Sequence, residues 1–423
     1  MTEQMNVPKL RFNEFEGNWS KNPLGQFCEH ITYGLTVRPK FVESGIPLIS
    51  AREIKSGTIK YSDAPQISMN DFNSLSDKAK PVAGDLFLSK TGSIGFSAKH
   101  TLSDPIAITQ NIAVIRFIDE DIIEPDYVLH YFKTRYFYCS AISRVNQSTI
   151  MDLQLGDIKK LLLPIPPNFS EQQKIASFLS TVDKKIELLT EKKSKLTEYK
   201  KGVMQQLFNG RFEISEQSTK DGKITFIPPT LRFKSDDGSE FPDWEENILG
   251  DIIEFFNGKG HEQHIDAQGE YVVVNSKFVA SQSLVKKFCN ELIFPLNESD
   301  ITMVMSDVPN GKALAKCYLI PESNRYTLNQ RICALRSNGL VINQYLIYQL
   351  NRNSFYLKFD TGVGQTNLKK NDVLSCPLST PNIEEQTKIA NFLVATDRKI
   401  ELANSELEKA KQWKKGLLQQ MFV

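Results

Sequence analysis

One segment of the chain occurs twice. Residues 170–179, SEQQKIASFL, return 214 positions later as residues 384–393, EEQTKIANFL, and the correspondence continues without a gap to Phe208 and Phe422. The shift is about half of the 423 residues. Because a long internal repeat dictates architecture, the sequence predicts two copies of one unit, related by a pseudo-twofold axis.

Each copy opens with the same short signature. The tripeptide LRF at 10–12, followed by Trp19, returns as LRF at 231–233, followed by Trp244. The segment after each Trp is variable and rich in short apolar runs bounded by Gly, Pro, Asn and Asp, which is typical of strands. Such runs occupy residues 46–49, 85–88, 112–115, 271–274 and 301–304, and one helix is predicted at 126–138 with a counterpart at 343–355. Each variable segment is therefore predicted to be a strand-rich α+β domain.

A proline-containing block ends each variable segment, and a long helix is predicted to follow. Asn168 and Asn382 stand three residues before a Glu, a spacing that favours an N-cap, although Ser170 with Gln173 is a competing pair in the first copy. Alternating steps of four and three residues then give a 3.5-residue apolar repeat, which is typical of a coiled-coil seam. The seam residues are Ile175, Leu179, Val182, Ile186, Leu189, Leu196, Val203, Leu207, Ile389, Leu393, Ile400, Leu407, Leu417 and Met421.

Each seam needs a partner, because a helix of about 37 residues (~55 Å) is too long to be buried by its own domain. The other copy has matching length and pattern, and a twofold axis perpendicular to the helices makes them antiparallel. The predicted fold is therefore α+β, with two globular strand-rich domains separated by two long antiparallel coiled-coil helices. The predicted boundaries are 1–165 for domain 1, 166–210 for spacer helix 1, 211–228 for a linker, 229–379 for domain 2 and 380–423 for spacer helix 2.

The composition and the polar first residues argue against a membrane protein and against a secreted protein. No run approaches the roughly 20 apolar residues of a membrane helix. Residues 1–6 are polar, which predicts no secretory signal, and the six cysteines form no C-x-x-C pair and are expected to be reduced. The formal net charge of +1 means that any nucleic-acid binding must come from local clusters. We expect an intracellular chain without membrane contact.

The doubled E-Q-x-K-I-A-x-F-L block, preceded by prolines and paired with a Trp signature, closely resembles the specificity subunit of type I restriction–modification systems. The resemblance covers essentially the whole chain. It implies a bacterial, cytoplasmic DNA-sequence-recognition subunit in which each variable domain recognises one half of a split double-stranded site. It also implies that the helices set the half-site distance and dock two methylation subunits, which bind S-adenosylmethionine and methylate adenine. Two further restriction/translocase subunits are implied to use ATP and Mg.

No catalytic or metal site is predicted in this chain itself. The sequence contains no G-x-x-x-x-G-K-[ST] loop and no N-P-P-[FY] tetrad, and the H-E-Q-H run at 261–264 is one residue short of H-E-x-x-H. Two alternatives stay open from the residues alone. One is a self-sufficient DNA nuclease or methylase with an unrecognised site, and the other is a coiled-coil adaptor that binds proteins.

The predicted DNA contacts lie in polar, glycine-flanked segments at matched positions of the two copies. Arg and Lys suit guanine O6 and N7, Asn and Gln suit adenine N6 and N7, and Ser and Thr suit base or phosphate. Loops of any soluble protein share this composition, so the pairing of segments is what favours DNA. Four segment pairs stand out, and the dipeptides at 110–111 and 330–331 form a weaker fifth pair. The candidates are Tyr33, Thr36, Arg38, Ser50, Arg52, Lys90, Thr91, Ser93, Arg144, Asn146, Gln147 and Ser148 in the first copy, and Lys259, His261, Asn275, Lys277, Asp307, Asn310, Lys312, Arg331, Gln365, Thr366, Asn367 and Lys369 in the second.

Overall fold

A computed structural model describes residues 6–37, 39–55, 57–118, 121–145, 150–214, 224–307, 312–360 and 366–423. The chain forms two compact units, and each takes helical segments from both halves of the sequence. Unit 1 comprises Met1–Lys192 and Ala403–Val423, and unit 2 comprises Lys193–Leu402. Each unit therefore contains one variable domain, the start of the helix that follows it, and the end of the other long helix.

Unit 1 is built on two four-stranded sheets, in the orders β2-β9-β6-β7 and β3-β5-β4-β8, and β1 pairs with β10. The strands are β1 Ser20–Pro23, β2 Cys28–Tyr33, β3 Phe41–Val42, β4 Ile46–Ile49, β5 Gln66–Ile67, β6 Leu86–Ser89, β7 Ser97–Lys99, β8 Ala107–Ile108, β9 Ile112–Phe117 and β10 Leu162–Ile165. The first sheet is antiparallel, whereas β4 and β8 run parallel. Apolar side chains such as Ile49, Phe87 and Val114 form a buried cluster in this unit.

Unit 2 repeats this topology. Its main sheet has the order β14-β21-β17-β19, a second sheet has the order β16-β15-β20 with β15 and β20 parallel, and β13 pairs with β23. The strands are β11 Arg211–Ile214, β12 Ile224–Ile227, β13 Glu245–Ile248, β14 Ile253–Asn257, β15 Tyr271–Val274, β16 Phe288–Cys289, β17 Ile301–Val304, β18 Ser306–Asp307, β19 Cys317–Leu319, β20 Tyr326–Leu328, β21 Ile332–Ser337, β22 Thr366–Asn367 and β23 Pro377–Thr380. The segment predicted as a linker contains β11 and β12, which pair antiparallel.

Most of the helices also have a counterpart in the other unit. They are α1 Ala51–Ile54, α2 Met69–Asn73, α3 Pro125–Phe132, α4 Arg135–Ile142, α5 Leu155–Lys159, α6 Phe169–Leu207, α7 Leu249–Ile252, α8 Ser276–Ala280, α9 Asn343–Leu350, α10 Ser354–Leu357, α11 Lys370–Leu374 and α12 Ile383–Gln420. The prediction of one continuous helix at 126–138, and of another at 343–355, is wrong in the same respect in both units. Each is two helices, because Thr134 and Asn353 cap a new helix with their side chains.

The long helices α6 and α12 fall inside the predicted spacer segments. Asn382 caps α12 as predicted, with its side chain accepting from the Glu385 N–H at 2.9 Å. The carboxylate of Glu385 does not complete a capping box. It is fully buried and forms two hydrogen bonds with the guanidinium of Arg232, from the LRF signature. Glu171 and Arg11 form the same pair in unit 1. The signature therefore anchors the start of each long helix.

In unit 1 the start of α6 packs antiparallel against the end of α12. Phe178 contacts Trp413 edge to face at 6.0 Å, Asp183 pairs with Lys414, and further along α6 Lys192 lies 3.5 Å from Glu406, which is earlier in α12. From the Phe178–Trp413 contact to the Lys192–Glu406 pair, residue numbers rise along α6 and fall along α12, so the predicted antiparallel direction is confirmed here.

Unit 2 contains the equivalent contacts with the roles of the helices exchanged. Tyr199 contacts Phe392 at 6.5 Å, and Lys200 Nζ lies 2.5 Å from Asp397 Oδ1. The predicted seam residues are buried or half-buried throughout both units, whereas Leu188 and Leu402, which lie off the seam, are 53% and 58% exposed. The period of 3.5 residues therefore identified the packed side of both helices.

Candidate DNA interface

The turn between β8 and β9 joins several of the predicted segments in unit 1. Gln110 N–H donates to Leu35 O at 3.0 Å, and Thr109 N–H donates to Ile49 O at 3.0 Å. Asn111 O accepts from Lys90 N–H at 2.9 Å. The segments at 33–37, 50–52 and 89–93 are thereby held against one turn, which contains the weakest of the sequence candidates.

The turn between β20 and β21 does the same in unit 2. Lys259 N–H donates to Leu328 O at 3.0 Å, and Asn329 N–H donates to Val274 O at 3.1 Å. Arg331 O accepts from Met305 N–H at 3.1 Å. We call these two turns, residues 109–112 and 329–332, the hub turns.

The third segment pairs with the fourth segment in unit 2 and with residues just beyond the fourth segment in unit 1. Thr91 bridges to Asp152 in unit 1, and Leu153 N–H donates to Lys90 O at 2.8 Å. In unit 2, β18 pairs with β22, and Leu368 N–H donates to Met305 O at 2.8 Å. The first three predicted segments of unit 1 and all four of unit 2, as far as the structure describes them, therefore meet at one edge of their unit, which we call its loop face.

Two glycines permit this convergence. A Cβ at Gly34 would lie 1.8 Å from Ile108 O, and a Cβ at Gly258 would lie 2.0 Å from Asn329 O. Both contacts are with the backbone of the hub turn or its strand, so a side chain at either position would force the first segment away. Glycine is required here by the close approach of two backbones.

The residues predicted in the second segment have two different roles. Ser50 and Asn275 are helix N-caps, and their side chains accept from Arg52 N–H at 3.3 Å and from Phe278 N–H at 3.0 Å. In unit 1 Glu53 completes a capping box with Ser50. Arg52 and Lys277 occupy the second position of these short helices and are exposed. The caps orient the turn, and the cation projects from it.

A buried ion pair occupies the centre of the unit 1 loop face. Lys90 is 8% exposed, and its Nζ lies 2.8 Å from Asp152 Oδ1. Thr91 Oγ1 donates to the same oxygen at 2.5 Å. Burial alone would raise the pKa of Asp152, but the hydrogen bonds from Lys90 and Thr91 outweigh it, and the pKa is lower than usual. Lys90 is thus neutralised by a residue that is absent from the sequence candidates.

His261 is buried completely in unit 2. Its Nδ1 lies 2.7 Å from Lys259 O and its Nε2 lies 2.8 Å from Thr327 Oγ1, and burial lowers its pKa. The ring therefore connects the first segment to β20 and offers no free nitrogen to a ligand in this conformation. Thr366 is similarly engaged, since it donates to Asp360 Oδ1 at 3.0 Å.

A cavity of about 340 Å³ opens on the loop face of unit 2. Four of its lining residues, His261, Asn275, Lys277 and Arg331, were predicted from sequence, and Lys287 was not. The two lysines and the arginine are exposed. A groove lined by Lys and Arg next to an amide can hold phosphate oxygens and donate to base edges.

The remaining predicted residues differ in how exposed their side chains are. Tyr33, Thr36, Ser93, Lys259, Lys312, Asn367 and Lys369 are exposed, and Arg144 is half-buried. Tyr33 lies under Lys90, with 5.9 Å from Nζ to the ring centroid, which joins the first and third segments. Arg38, Asn146, Gln147, Ser148, Asn310 and Gln365 lie outside the described residues, as does the side chain of Asp307.

Sequence reasoning missed Asp152 and Lys287. Asp152 lies three residues after the end of the fourth segment, so its position along the chain was a usable signal, but Lys287 reaches the cavity only through the pairing of β16 with β15. The described residues contain no cluster of His, Cys, Asp or Glu suited to a metal ion. Among the helices in the described ranges, none is long and apolar enough to cross a membrane.

A comparison with known protein families identifies the family of this chain. The family described as "Type I restriction modification DNA specificity domain" matches this chain twice, at residues 16–198 and 242–412. The chain belongs to this family. Its function is recognition of DNA sequence as the specificity subunit of a type I restriction–modification system, which is a non-catalytic part of the complex. The nuclease or methylase and adaptor alternatives are not favoured.

The chain is similar to whole specificity subunits. It is 24% identical to the "Putative type I restriction enzyme MjaX specificity subunit" of Methanocaldococcus jannaschii, over 98% of this chain and 95% of that protein. A crystal structure of the S subunit from M. genitalium aligns with a TM-score of 0.62 at 17% identity, covering 99% of both chains. A chain from a structure titled "Structural basis underlying complex assembly and conformational transition of the type I R-M system" aligns with a TM-score of 0.53 at 13% identity, covering 97% and 99%. At 17% and 13% identity, these two structural alignments support the fold of the chain alone.

Proposed function

We propose that each loop face recognises one half of a split double-stranded DNA site. The observation that carries this proposal is that three predicted segments of unit 1 and four of unit 2 meet at the same edge of their unit, around equivalent hub turns. The faces present exposed cations, Arg52 in unit 1 and Lys277 and Arg331 in unit 2. Two faces with one backbone plan and different side chains suit two different half-sites.

The long helices are proposed to set the gap between the half-sites. Each is one uninterrupted element, of 39 residues for α6 and 38 for α12. Inserting one heptad into each helix at matched positions keeps the seam in register and adds about 10 Å. The gap in the modified motif should then lengthen by about three base pairs at 3.4 Å per step, with both half-sites unchanged. Altered half-sites with the original gap would contradict this role.

The helices are also proposed to dock two methylation subunits. Leu188 and Leu402 occupy equivalent positions of the repeat, are more than half exposed, and have no role in the seam. Tyr199 and Trp413 form a second equivalent pair that is about half exposed. Exposed apolar side chains that recur in both copies fit two copies of one partner.

The chemistry is proposed to belong to the partner subunits in the bacterial cytoplasm. The methylation subunits would bind S-adenosylmethionine and methylate adenine, and two restriction/translocase subunits would use ATP and Mg. What supports this division is the family to which the chain belongs.

The direct test is binding and methylation by the chain assembled with its methylation subunit. The natural motif, determined by sequencing modified genomic DNA, is compared with duplexes in which one half-site is scrambled. We expect selective binding that requires both halves and survives at physiological salt. Binding that shows no sequence preference at any salt concentration would contradict the proposal.

Cation variants localise the contacts. Arg52→Gln in unit 1, and Lys277→Gln in unit 2, should each weaken binding and reduce the salt slope by about 0.9 for each phosphate that is no longer neutralised. Lys21→Gln and Lys234→Gln are the matched controls, since these lysines are exposed on the signature side of their units. Equal losses from the control variants would show that general charge, and not the loop faces, determines affinity.

A further inference from the structure

The hub turns place one equivalent side chain at the centre of each loop face. Asn111 and Arg331 both precede the first residue of the central strand, β9 or β21. Both have a backbone carbonyl that accepts from the residue following β6 or β17. The turns themselves close alike, with Ile112 N–H donating to Thr109 O at 3.2 Å and Ile332 N–H donating to Asn329 O at 3.0 Å. Positions 111 and 331 are therefore the same structural position carrying different residues.

Most other polar side chains near this position are already engaged. Ser50 and Asn275 cap helices, and Lys90 with Thr91 is held by Asp152. Their hydrogen-bonding groups are committed to the fold, so they position the loop faces.

The two hub residues are not committed in this way. Within the described part of the chain, no hydrogen bond or ion pair engages the guanidinium of Arg331 or the side-chain amide of Asn111. Arg331 is exposed and lines the unit 2 cavity beside Asn275 and Lys277, and Asn111 is half-buried. Both lie on backbone fixed by hydrogen bonds from neighbouring segments. A fixed backbone with an unengaged planar donor group is the arrangement that base recognition requires.

We propose that this position discriminates one base in each half-site, with Arg331 donating to O6 and N7 of a guanine and Asn111 pairing with N6 and N7 of an adenine. A guanidinium fits the two acceptors of guanine, and a carboxamide fits the acceptor and donor of adenine. The inference rests on the proposed function, and it deepens it by assigning two bases to two residues.

The test is the motif methylated by the complex of the chain with its methylation subunit, read from a randomised duplex library. Arg331→Lys keeps the charge and removes the bidentate fork, whereas Arg331→Gln removes both. We expect each variant to lose about five- to 150-fold of the preference for guanine at one base pair of one half-site. The other half-site should be unchanged. Asn111→Asp should produce the equivalent loss at one adenine of the other half-site.

The outcomes separate a base contact from a phosphate contact. If Arg331 touched phosphate only, Arg331→Gln would weaken binding uniformly across the library and reduce the salt slope by about 0.9, and Arg331→Lys would leave the motif unchanged. That result would overturn the inference. The proposed function would stand as long as the wild-type complex still methylates a split motif. A wild-type complex without any motif would instead overturn the proposed function. Lys277→Gln, which changes a neighbouring cation on the same cavity, controls for general disturbance of the face.

Discussion

The two loop faces share a backbone plan and differ in how charge is arranged at their centres. In unit 1 the residue after β6 is Lys90, which is buried and paired with Asp152. The residue after β17 in unit 2 is Met305, and the exposed cations are Arg331 and Lys277 around a cavity. The backbone hydrogen bonds recur and the side chains do not. The shared part therefore presents the loops, and the divergent part carries recognition.

The units also differ where the variable domain meets the long helices. The sixth residue of α3 is His130, and the sixth residue of α9 is Tyr348. His130 Nδ1 lies 3.9 Å from Asp183 Oδ2, whereas Tyr348 donates its hydroxyl to Asp397 Oδ2 at 2.8 Å. One structural position is thus occupied by a buried titratable ring in one copy and by a phenol in the other.

The anchor of each long helix should give the largest effect. Glu171→Ala or Glu385→Ala leaves a largely buried guanidinium without its partner, which costs about 3–5 kcal/mol. The loss should be greater in unit 2, because Trp244 Nε1 also donates to Glu385 at 3.1 Å, while within the described chain Trp19 Nε1 has no acceptor. Chemical denaturation monitored by fluorescence measures both variants. Glu187→Ala, on an exposed carboxylate, should change stability little, and equal small losses in all three would contradict the anchor role.

His130 should make unit 1 sensitive to acid. Burial, with Lys133 and Lys414 nearby, lowers the pKa of His130 to about 3, although Asp183 and Asp126 oppose this shift. Between the usual pKa of about 6.5 and the folded value, the unfolded chain binds a proton that the folded unit does not, so stability falls as pH falls. From pH 8 to pH 5 the loss is about 2 kcal/mol.

His130→Gln tests the acid sensitivity. It should remove most of this pH-dependent loss in denaturation experiments, whereas His264→Gln, on a more exposed histidine of unit 2, should not. The same pH dependence in wild type and His130→Gln would assign the effect to other groups.

Removing the carboxylate that pairs with Lys90 should make the charges of the two loop faces more alike. Asp152→Asn removes the anion that neutralises Lys90, so one more cation becomes available to DNA and the salt slope should steepen by about 0.9. Leaving Lys90 without its carboxylate partner also destabilises unit 1, by about 3 kcal/mol if the ammonium stays buried and by less if it turns out to solvent. Binding across a salt series measures the slope. An unchanged slope would mean that Lys90 does not face the phosphates.

The exposed leucines should matter least for stability. Leu188→Ser and Leu402→Ser change side chains that lie off the seam, so each should shift stability by less than about 0.5 kcal/mol. If equivalent positions dock equivalent partners, either variant should lose one methylation subunit and the double variant should lose both. Native mass spectrometry of the assembled complex counts them. Full occupancy in the double variant would place the docking surface elsewhere.

Much of the fold was predictable because the repeat and the seam are periodic signals. The 3.5-residue pattern identified the buried positions of α6 and α12, and strands such as β4 and β17 match their apolar runs. The caps at Thr134 and Asn353, which divide the helices predicted at 126–138 and 343–355, depend on single side-chain bonds that periodicity does not reveal.

The loop faces were predictable in location but not in detail. Gly-flanked polar segments at matched positions identified what converges. Whether a given side chain is free depends on contacts distant in sequence, such as Asp152 with Lys90 or Thr327 with His261. The importance of the hub turns could not be predicted for the same reason, because it depends on backbone hydrogen bonds to three other segments.

An exchange of recognition domains tests the central claim, that each unit recognises its own half-site, most directly. The variable domains can be joined at equivalent positions, because Leu24 N–H donates to Leu161 O at 2.7 Å and Leu249 N–H donates to Cys376 O at 2.9 Å. Replacing residues 249–376 by residues 24–161 should give a complex whose methylated motif has the first half-site's sequence in both halves. A correctly assembled complex that keeps the original second half-site would contradict the account.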